Sequence, residues 1–284
     1  MYRYIFTIIA ITMSLSFSFA RQPRIGITLS GGGALGYAHI GVLQALEEHG
    51  IHPDCISGSS MGAIIGTLYA AGYSPKEMLA IVQKDKLYRI NKLLTLQSAF
   101  TTTGMSSHKS LHRILLQLIP HNSFDSLPRR LTVCVTNLDS GESEYISSGD
   151  SLAEYVVASA SIPGIFETRT VGGHTYVDGG VLDNLPVRAL RPQCDHIIAV
   201  DVLPFVRESR KSTSLDVMLW SIRLMQHSNS IPGRAAADWL IDSYALVEFH
   251  EFSFDKYREI YQYGYKAATE YLAAHPELIR RCAR

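Results

Sequence analysis

Short apolar runs alternate along the chain with stretches whose apolar residues recur every three or four positions. Ile25-Gly-Ile-Thr-Leu29, Leu131-Thr-Val-Cys-Val135 and Ile197-Ile-Ala-Val200 are short, continuous and rich in β-branched residues, as strands buried on both faces are. Strands are expected at about 24–30, 54–58, 131–137, 143–147, 196–202 and 245–249, with a hairpin through Thr168 to Val177 turning at Gly172-Gly173. Helical spacing predicts helices at about 36–49, 61–71, 75–83, 109–119, 151–160, 214–227 and 256–273. Strands and helices in this alternation build an α/β domain, a three-layer sandwich around a largely parallel sheet.

Two stretches break the pattern. Ile5 to Phe19 is apolar with small hydroxyls, follows the single positive side chain of Arg3, and ends Ser18-Phe19-Ala20 before Arg21-Gln-Pro23. That arrangement is the form of a secretory signal over 1–20 cleaved after Ala20, and it falls short of the roughly twenty apolar residues that span a bilayer. A single domain over 21–284, with its core at about 24–202, is then the exported product. Between Lys84 and His108 the periodicity fades into Leu87, Leu93, Leu94, Leu96, Phe100 and Met105 among polar residues. A flap packed on the core and a lid or acyl-chain wall beside a site are both open readings of it.

Composition narrows the function without naming it. With 284 residues, 46% of them hydrophobic, the chain can bury a full core as one domain. Basic and acidic residues balance at 26 each, and no long run of either sign advertises a nucleic-acid partner. Cys55 and Cys134 lie in strand-like runs and read as buried thiols, while nothing in the spacing of Cys194 and Cys282 favours a bridge between them. The absence of C-x-x-C leaves a zinc site of that type unsupported.

Candidate chemistry begins at Ser30-Gly31-Gly32-Gly33-Ala34-Leu35-Gly36, between the first strand and the first helix. Gly31, Gly33 and Gly36 spell G-x-G-x-x-G, which suits a dinucleotide pyrophosphate and equally suits an oxyanion. A dinucleotide site also needs an acid at the carboxyl end of the second strand; the acid nearby, Asp54, is at the other end. The carboxyl end of that strand carries instead Gly58-Ser59-Ser60-Met61-Gly62, a G-x-S-x-G turn into a helix that would hold Ser60 exposed with the Met61 N–H behind it. A serine hydroxyl needs a base within hydrogen-bond reach. His196, His227 and His250 are available in order but lack local motif context. Asp178-Gly179-Gly180, at the end of a strand-like run, is the stronger candidate, since a partly desolvated carboxylate gains proton affinity.

Those three motifs, in that order and spacing, resemble the patatin-like phospholipases, bacterial patatin-like and neuropathy-target-esterase-like lipid acyl hydrolases. His39-Ile-Gly-Val-Leu43, Ala158-Ser-Ala-Ser-Ile-Pro-Gly-Ile-Phe166, Val181-Leu-Asp-Asn-Leu-Pro186 and Tyr263-Gly-Tyr-Lys-Ala-Ala268 extend the likeness. The resemblance implies a patatin-like fold and a Ser60–Asp178 dyad. Gly31, Gly32, Gly33 and Met61 would form the oxyanion hole, and Gly36, Gly58, Gly62, Gly179 and Gly180 would shape the turns. It implies no cofactor and no metal, and no calcium-loop pattern is present. The substrate it implies is a phospholipid or other fatty acyl ester met at a membrane surface, by a protein exported from a bacterial cell to the periplasm, the envelope or the medium. Leu35 departs from the family pattern, in which Arg or Lys is common. The cluster Met218, Leu219, Trp220, Ile222, Leu224 and Met225 is a candidate acyl groove or lipid-facing surface, and equally a core face. A catalytically weak lipid-binding or partner-binding protein on the same fold is the alternative.

Overall fold

The computed structural model describes residues 22–84, 109–203, 205, 213–242 and 244–284. The expected signal segment, most of the 84–108 excursion and its wall-or-flap reading lie outside these residues. Strands form at Ile25–Leu29 (β1), Cys55–Gly58 (β2), Arg130–Asn137 (β3), Glu142–Ile146 (β4), Arg169–Val171 (β5), His174–Asp178 (β6), His196–Asp201 (β7) and Trp239–Asp242 (β8). The helices are Tyr37–Glu48 (α1), Met61–Ala70 (α2), Pro75–Lys84 (α3), Lys109–Leu118 (α4), Leu152–Ser159 (α5), Ser214–Ala236 (α6), Tyr257–Ala274 (α7) and Pro276–Cys282 (α8). The sheet runs β5-β6-β3-β2-β1-β7-β8, with β4 paired to β3; β3, β2, β1, β7 and β8 are parallel to one another.

Alternation along the strands divides the interior into two layers. Ile25, Ile27, Leu29, Ile56, Ile198 and Val200 face the larger core, and Cys55, Ile197 and Ala199 face a smaller one with Leu185, Val187, Leu190 and Cys194. Burial on both faces is what the continuous apolar runs foretold. On the larger side α7 crosses α1 with almost no space between backbones, because a Cβ on Gly264 would lie 2.1 Å from the Ala38 carbonyl oxygen. Two sequence expectations need correction. The final strand is Trp239–Asp242, in register with Ile198–Asp201, and the run expected at 245–249 instead coils into a 3-10 turn over Tyr244–Glu248. Helix α6 continues to Ala236 through Pro232, and α8 was not anticipated.

The β3 registers decide where the site forms. Both β4 and β6 pair with residues 135–137 of β3, so they occupy its opposite edges. Strand β2 pairs in parallel with 130–133, and β6 pairs antiparallel with 135–137. These two strands therefore run toward each other along one edge of β3. The chain leaving β2 at Gly58 meets the chain ending β6 at Asp178.

Candidate active site

Between Gly58 and Met61 only Ser59 and Ser60 turn the chain from strand to helix, and Ser60 takes the left-handed backbone φ 52, ψ −123. Such a conformation costs a non-glycine residue about 1–3 kcal/mol unless its surroundings hold it. They do. The Ser60 N–H donates to Ser159 Oγ at 2.9 Å, Ser159 donates in turn to the Cys134 carbonyl at 2.6 Å, and Ser59 Oγ donates to the Asp183 carbonyl at 2.6 Å. The flanking glycines are a steric requirement, since a Cβ on Gly62 would lie 2.2 Å from the Leu29 carbonyl oxygen and one on Gly58 2.5 Å from the Gly62 backbone.

Asp178 receives the serine at the meeting point of the strands. Ser60 Oγ donates to Asp178 Oδ2 at 2.6 Å, and the Gly180 N–H donates to Oδ1 at 2.8 Å. The carboxyl group is buried, 1% exposed. Burial strips it of water and pushes its pKa up to about 7, against the two hydrogen bonds that pull it down. A carboxylate with that proton affinity is matched to general-base work near neutral pH.

The backbone N–H groups of the first glycine loop divide into those with a protein acceptor and those without. Ser30 N–H goes to the Val200 carbonyl, Gly31 N–H to the Asn184 carbonyl at 3.1 Å, Ala34 N–H to the Glu251 carbonyl at 2.8 Å and Leu35 N–H to the Gly32 carbonyl. Among the described residues, the N–H groups of Gly32, Gly33 and Met61 have no protein acceptor. Gly31 therefore drops out of the expected oxyanion set, because its donor already fixes the loop to Asn184. The loop is braced elsewhere by His39, whose Nε2 donates to the Ser30 carbonyl at 2.9 Å. Burial pulls the His39 pKa down to about 4, so the ring is neutral.

Gly32, Gly33 and Ser60 open onto a cavity of about 270 Å³. Its lining combines apolar side chains, Ile162, Phe166, Leu219, Trp220, Ile222, Phe252 and Phe254, with the polar Asp216, Arg223, Gln226, His250 and Glu251. The expected α6 cluster divides. Leu219, Trp220 and Ile222 line the cavity, Met218 packs against Gly164, and Leu224 and Met225 are 41% and 36% exposed. Arg223 is the one lysine or arginine among the lining residues, and its Nη1 meets Glu251 Oε1 at 2.9 Å. Leu35, in contrast, is wholly buried in the main core.

Of the three histidines, His250 lines the cavity, His227 stacks on Phe205 and His196 packs edge-on to Trp239. None of them holds the Ser60 hydroxyl, which is bound to Asp178. Sequence reasoning missed the supporting parts: Ser159 under the elbow, Asn184 under the glycine loop, and Glu251, whose carbonyl grips that loop while its carboxylate holds Arg223. Ser159 and Asn184 sit within stretches that carry the family resemblance; Glu251 carries no local signal.

Comparisons with known proteins identify the family of the chain. Residues 27–191, more than half the chain, match the family described as Patatin-like phospholipase. The chain is 30% identical to Lysophospholipase nte1 of Emericella nidulans over 284 residues, covering 87% of this chain but 18% of that protein. It is also 30% identical to an uncharacterized NTE family protein of Mycobacterium bovis, covering 78% of this chain and 61% of the other. The chain thus spans less than a fifth of the length of the fungal relative. Among solved structures, VipD from Legionella pneumophila superposes with a TM-score of 0.49 at 17% identity, covering 90% of this chain and 67% of that one.

Proposed function

Because this chain belongs to the patatin-like phospholipase family, we propose that it hydrolyses carboxylic esters of fatty acyl lipids, lysophospholipids and phospholipids among them, with Ser60 as nucleophile and Asp178 as base. The observation that carries the proposal is the 2.6 Å bond from a strained, cavity-facing serine to a buried carboxylate. In the first step Ser60 Oγ attacks the ester carbonyl as its proton passes to Asp178 Oδ2. Negative charge on the carbonyl oxygen is met by the N–H groups of Gly32, Gly33 and Met61, each donor of this kind being worth on the order of a hundredfold to a thousandfold in turnover. Asp178 then gives the proton to the leaving alcohol, and a water activated by the same carboxylate releases the fatty acid from Ser60. His39 keeps the loop aimed without exchanging a proton itself.

The apolar lining residues Phe166, Leu219, Trp220 and Phe252 suit an acyl chain, at roughly 0.8 kcal/mol per buried methylene. The outer side of α6 presents Val217, Leu224 and Ile231, 51%, 41% and 54% exposed, which supports peripheral contact with lipid. Export by the 1–20 segment belongs to the same reading. Incubating the full chain with a lipid extract and following the losses by mass spectrometry tests it. The expected result is loss of acyl esters with gain of free fatty acid, together with a fluorophosphonate adduct on Ser60; an unchanged extract would overturn it.

Arg223 supports a preference for head groups that carry phosphate. A charge-assisted hydrogen bond contributes about 1.5–3 kcal/mol, so Arg223→Gln is expected to raise KM for a lysophospholipid by roughly ten- to a hundredfold. KM for an uncharged monoacylglycerol should stay as it was. Equal effects on the two substrates, measured side by side, would remove Arg223 from head-group recognition.

A further inference from the structure

Two thiols at the far end of β2 from Ser60 take no part in the ester chemistry. Gly26 stands opposite Cys55 in the parallel β1–β2 pair, and paired residues send their side chains to the same face. Gly26 has no side chain, and Cys194 fills the space: a Cβ there would lie 2.9 Å from Cys194 Sγ and 3.3 Å from Cys194 Cβ. Cys194 thus lies over Gly26 beside Cys55, near enough for each thiol to shift the other's titration. Both pack in the smaller apolar cluster, with Cys55 fully buried and Cys194 9% exposed. Cys134 and Cys282 do not compete, since Cys134 points to the Asp183 carbonyl and Cys282 packs in the main core.

We propose that Cys55 and Cys194 are a modification site, a thiol pair that closes to a disulfide when the folded protein meets a small-molecule disulfide oxidant. Cys194, 9% exposed against 0% for Cys55, exchanges first with glutathione disulfide, slowly because Cys55 and burial hold its thiol well above the usual range; its sulfur bonds to one glutathione sulfur and the other leaves as glutathione thiol, carrying the proton. Cys55 Sγ then attacks Cys194 Sγ and displaces the second glutathione, so two protein thiols are oxidised and one glutathione disulfide is reduced to two thiols. The Cys194 S–H is spent in the first exchange, and the guanidinium groups of Arg24 and Arg130 remain to favour the Cys55 thiolate in this second attack.

The crosslink has a structural consequence near the ester site. It ties the root of the strand that leads to Ser60 to the end of the segment that leaves Asp178. That segment carries Asp183 and Asn184, whose carbonyls accept from Ser59 Oγ and the Gly31 N–H. An exported protein would meet the oxidising medium in which such a bond persists.

The test needs no lipid. The full folded chain is equilibrated with excess glutathione disulfide or with dithiothreitol, denatured in N-ethylmaleimide, digested and mapped by mass spectrometry. Joined Cys55 and Cys194 peptides are expected in the oxidised sample alone, with Cys134 and Cys282 alkylated in both and a higher Tm for the oxidised protein. Four alkylated cysteines after oxidation, a lasting glutathione adduct on Cys194, or a crosslink through Cys134 or Cys282 would overturn the proposal. Cys55→Ser is expected to leave that adduct on Cys194 and to remove the oxidant's effect on Tm. If this variant does not fold, the wild-type peptide map decides alone.

Discussion

Replacing Ser60 with alanine is expected to lower ester release from a lysophospholipid by on the order of 10⁴-fold or more, because residues that act as one unit in covalent catalysis fail together when the nucleophile is lost. The substitution removes one oxygen. It leaves the elbow's supports in place, since the Ser60 backbone N–H still reaches Ser159, Gly62 still admits the close approach to Leu29 and Gly58 that to Gly62. Lipid should therefore bind as before, which separates this outcome from collapse of the cavity. Fatty acid release and binding of a non-hydrolysable ether lysolipid, measured on the same preparation, give the two readouts. Full turnover in Ser60→Ala would dismiss the nucleophile; a wild-type chain that binds the lipid and releases no acid would make the cavity a lipid-holding site.

Legibility in the sequence followed the range of the forces involved. The glycine loop, the serine elbow and the D-G-G turn were readable because each depends on near neighbours: steric room at Gly58 and Gly62, and a carboxylate freed at a strand end. Their convergence was readable in part, since parallel strands place their carboxyl ends on one side. The force that brings Asp178 to Ser60 acts at longer range, through the head-to-head register of β2 and β6 on β3, and no local pattern specifies that. The strand expected at 245–249 failed for a related reason. Ala245-Leu-Val-Glu-Phe249 is as apolar as many strands, but the free edge of β7 is taken by Trp239–Asp242, whose register places Trp239 against Ile198.

The first loop gives the sharper lesson. Read as a motif, Gly31, Gly32 and Gly33 were equivalent donors, and Leu35 looked like a charge missing from the site. The hydrogen-bond account makes them unequal, spending Gly31 on Asn184 and leaving Gly32 and Gly33 toward the cavity. Leu35 points into the core, where an arginine would lose its water without facing the substrate space. The cavity does hold a guanidinium, that of Arg223 on α6, far along the chain from the loop. A charge absent from a motif need not be absent from a site.

Asp178→Asn is expected to abolish turnover to nearly the same extent and to make the protein more stable above neutral pH. The catalytic loss arises because an amide can hold the Ser60 hydroxyl but cannot take its proton; replacing the aspartate of a serine triad, which only orients the base, already costs on the order of 10⁴-fold. The stability gain comes from linkage. Burial raises the Asp178 pKa from 3.8 in the unfolded chain to about 7 in the folded one, so the folded state binds the proton more tightly. Stability then falls as pH rises between those two values, and above about 7 the protein carries the full cost of an ionised, buried carboxylate, on the order of a few kcal/mol. Asparagine keeps the shape and never ionises. The Tm of the variant should therefore match that of wild type near pH 4 and exceed it by a growing margin up to pH 8. The same ionisation sets the acid limb of the wild-type reaction, with kcat/KM falling tenfold per unit below about pH 7. Thermal melts across this range and a pH–rate profile read one carboxylate in two ways. A margin that does not change with pH, or an acid limb centred near pH 4, would mean that Asp178 is ionised without strain and that the base lies elsewhere.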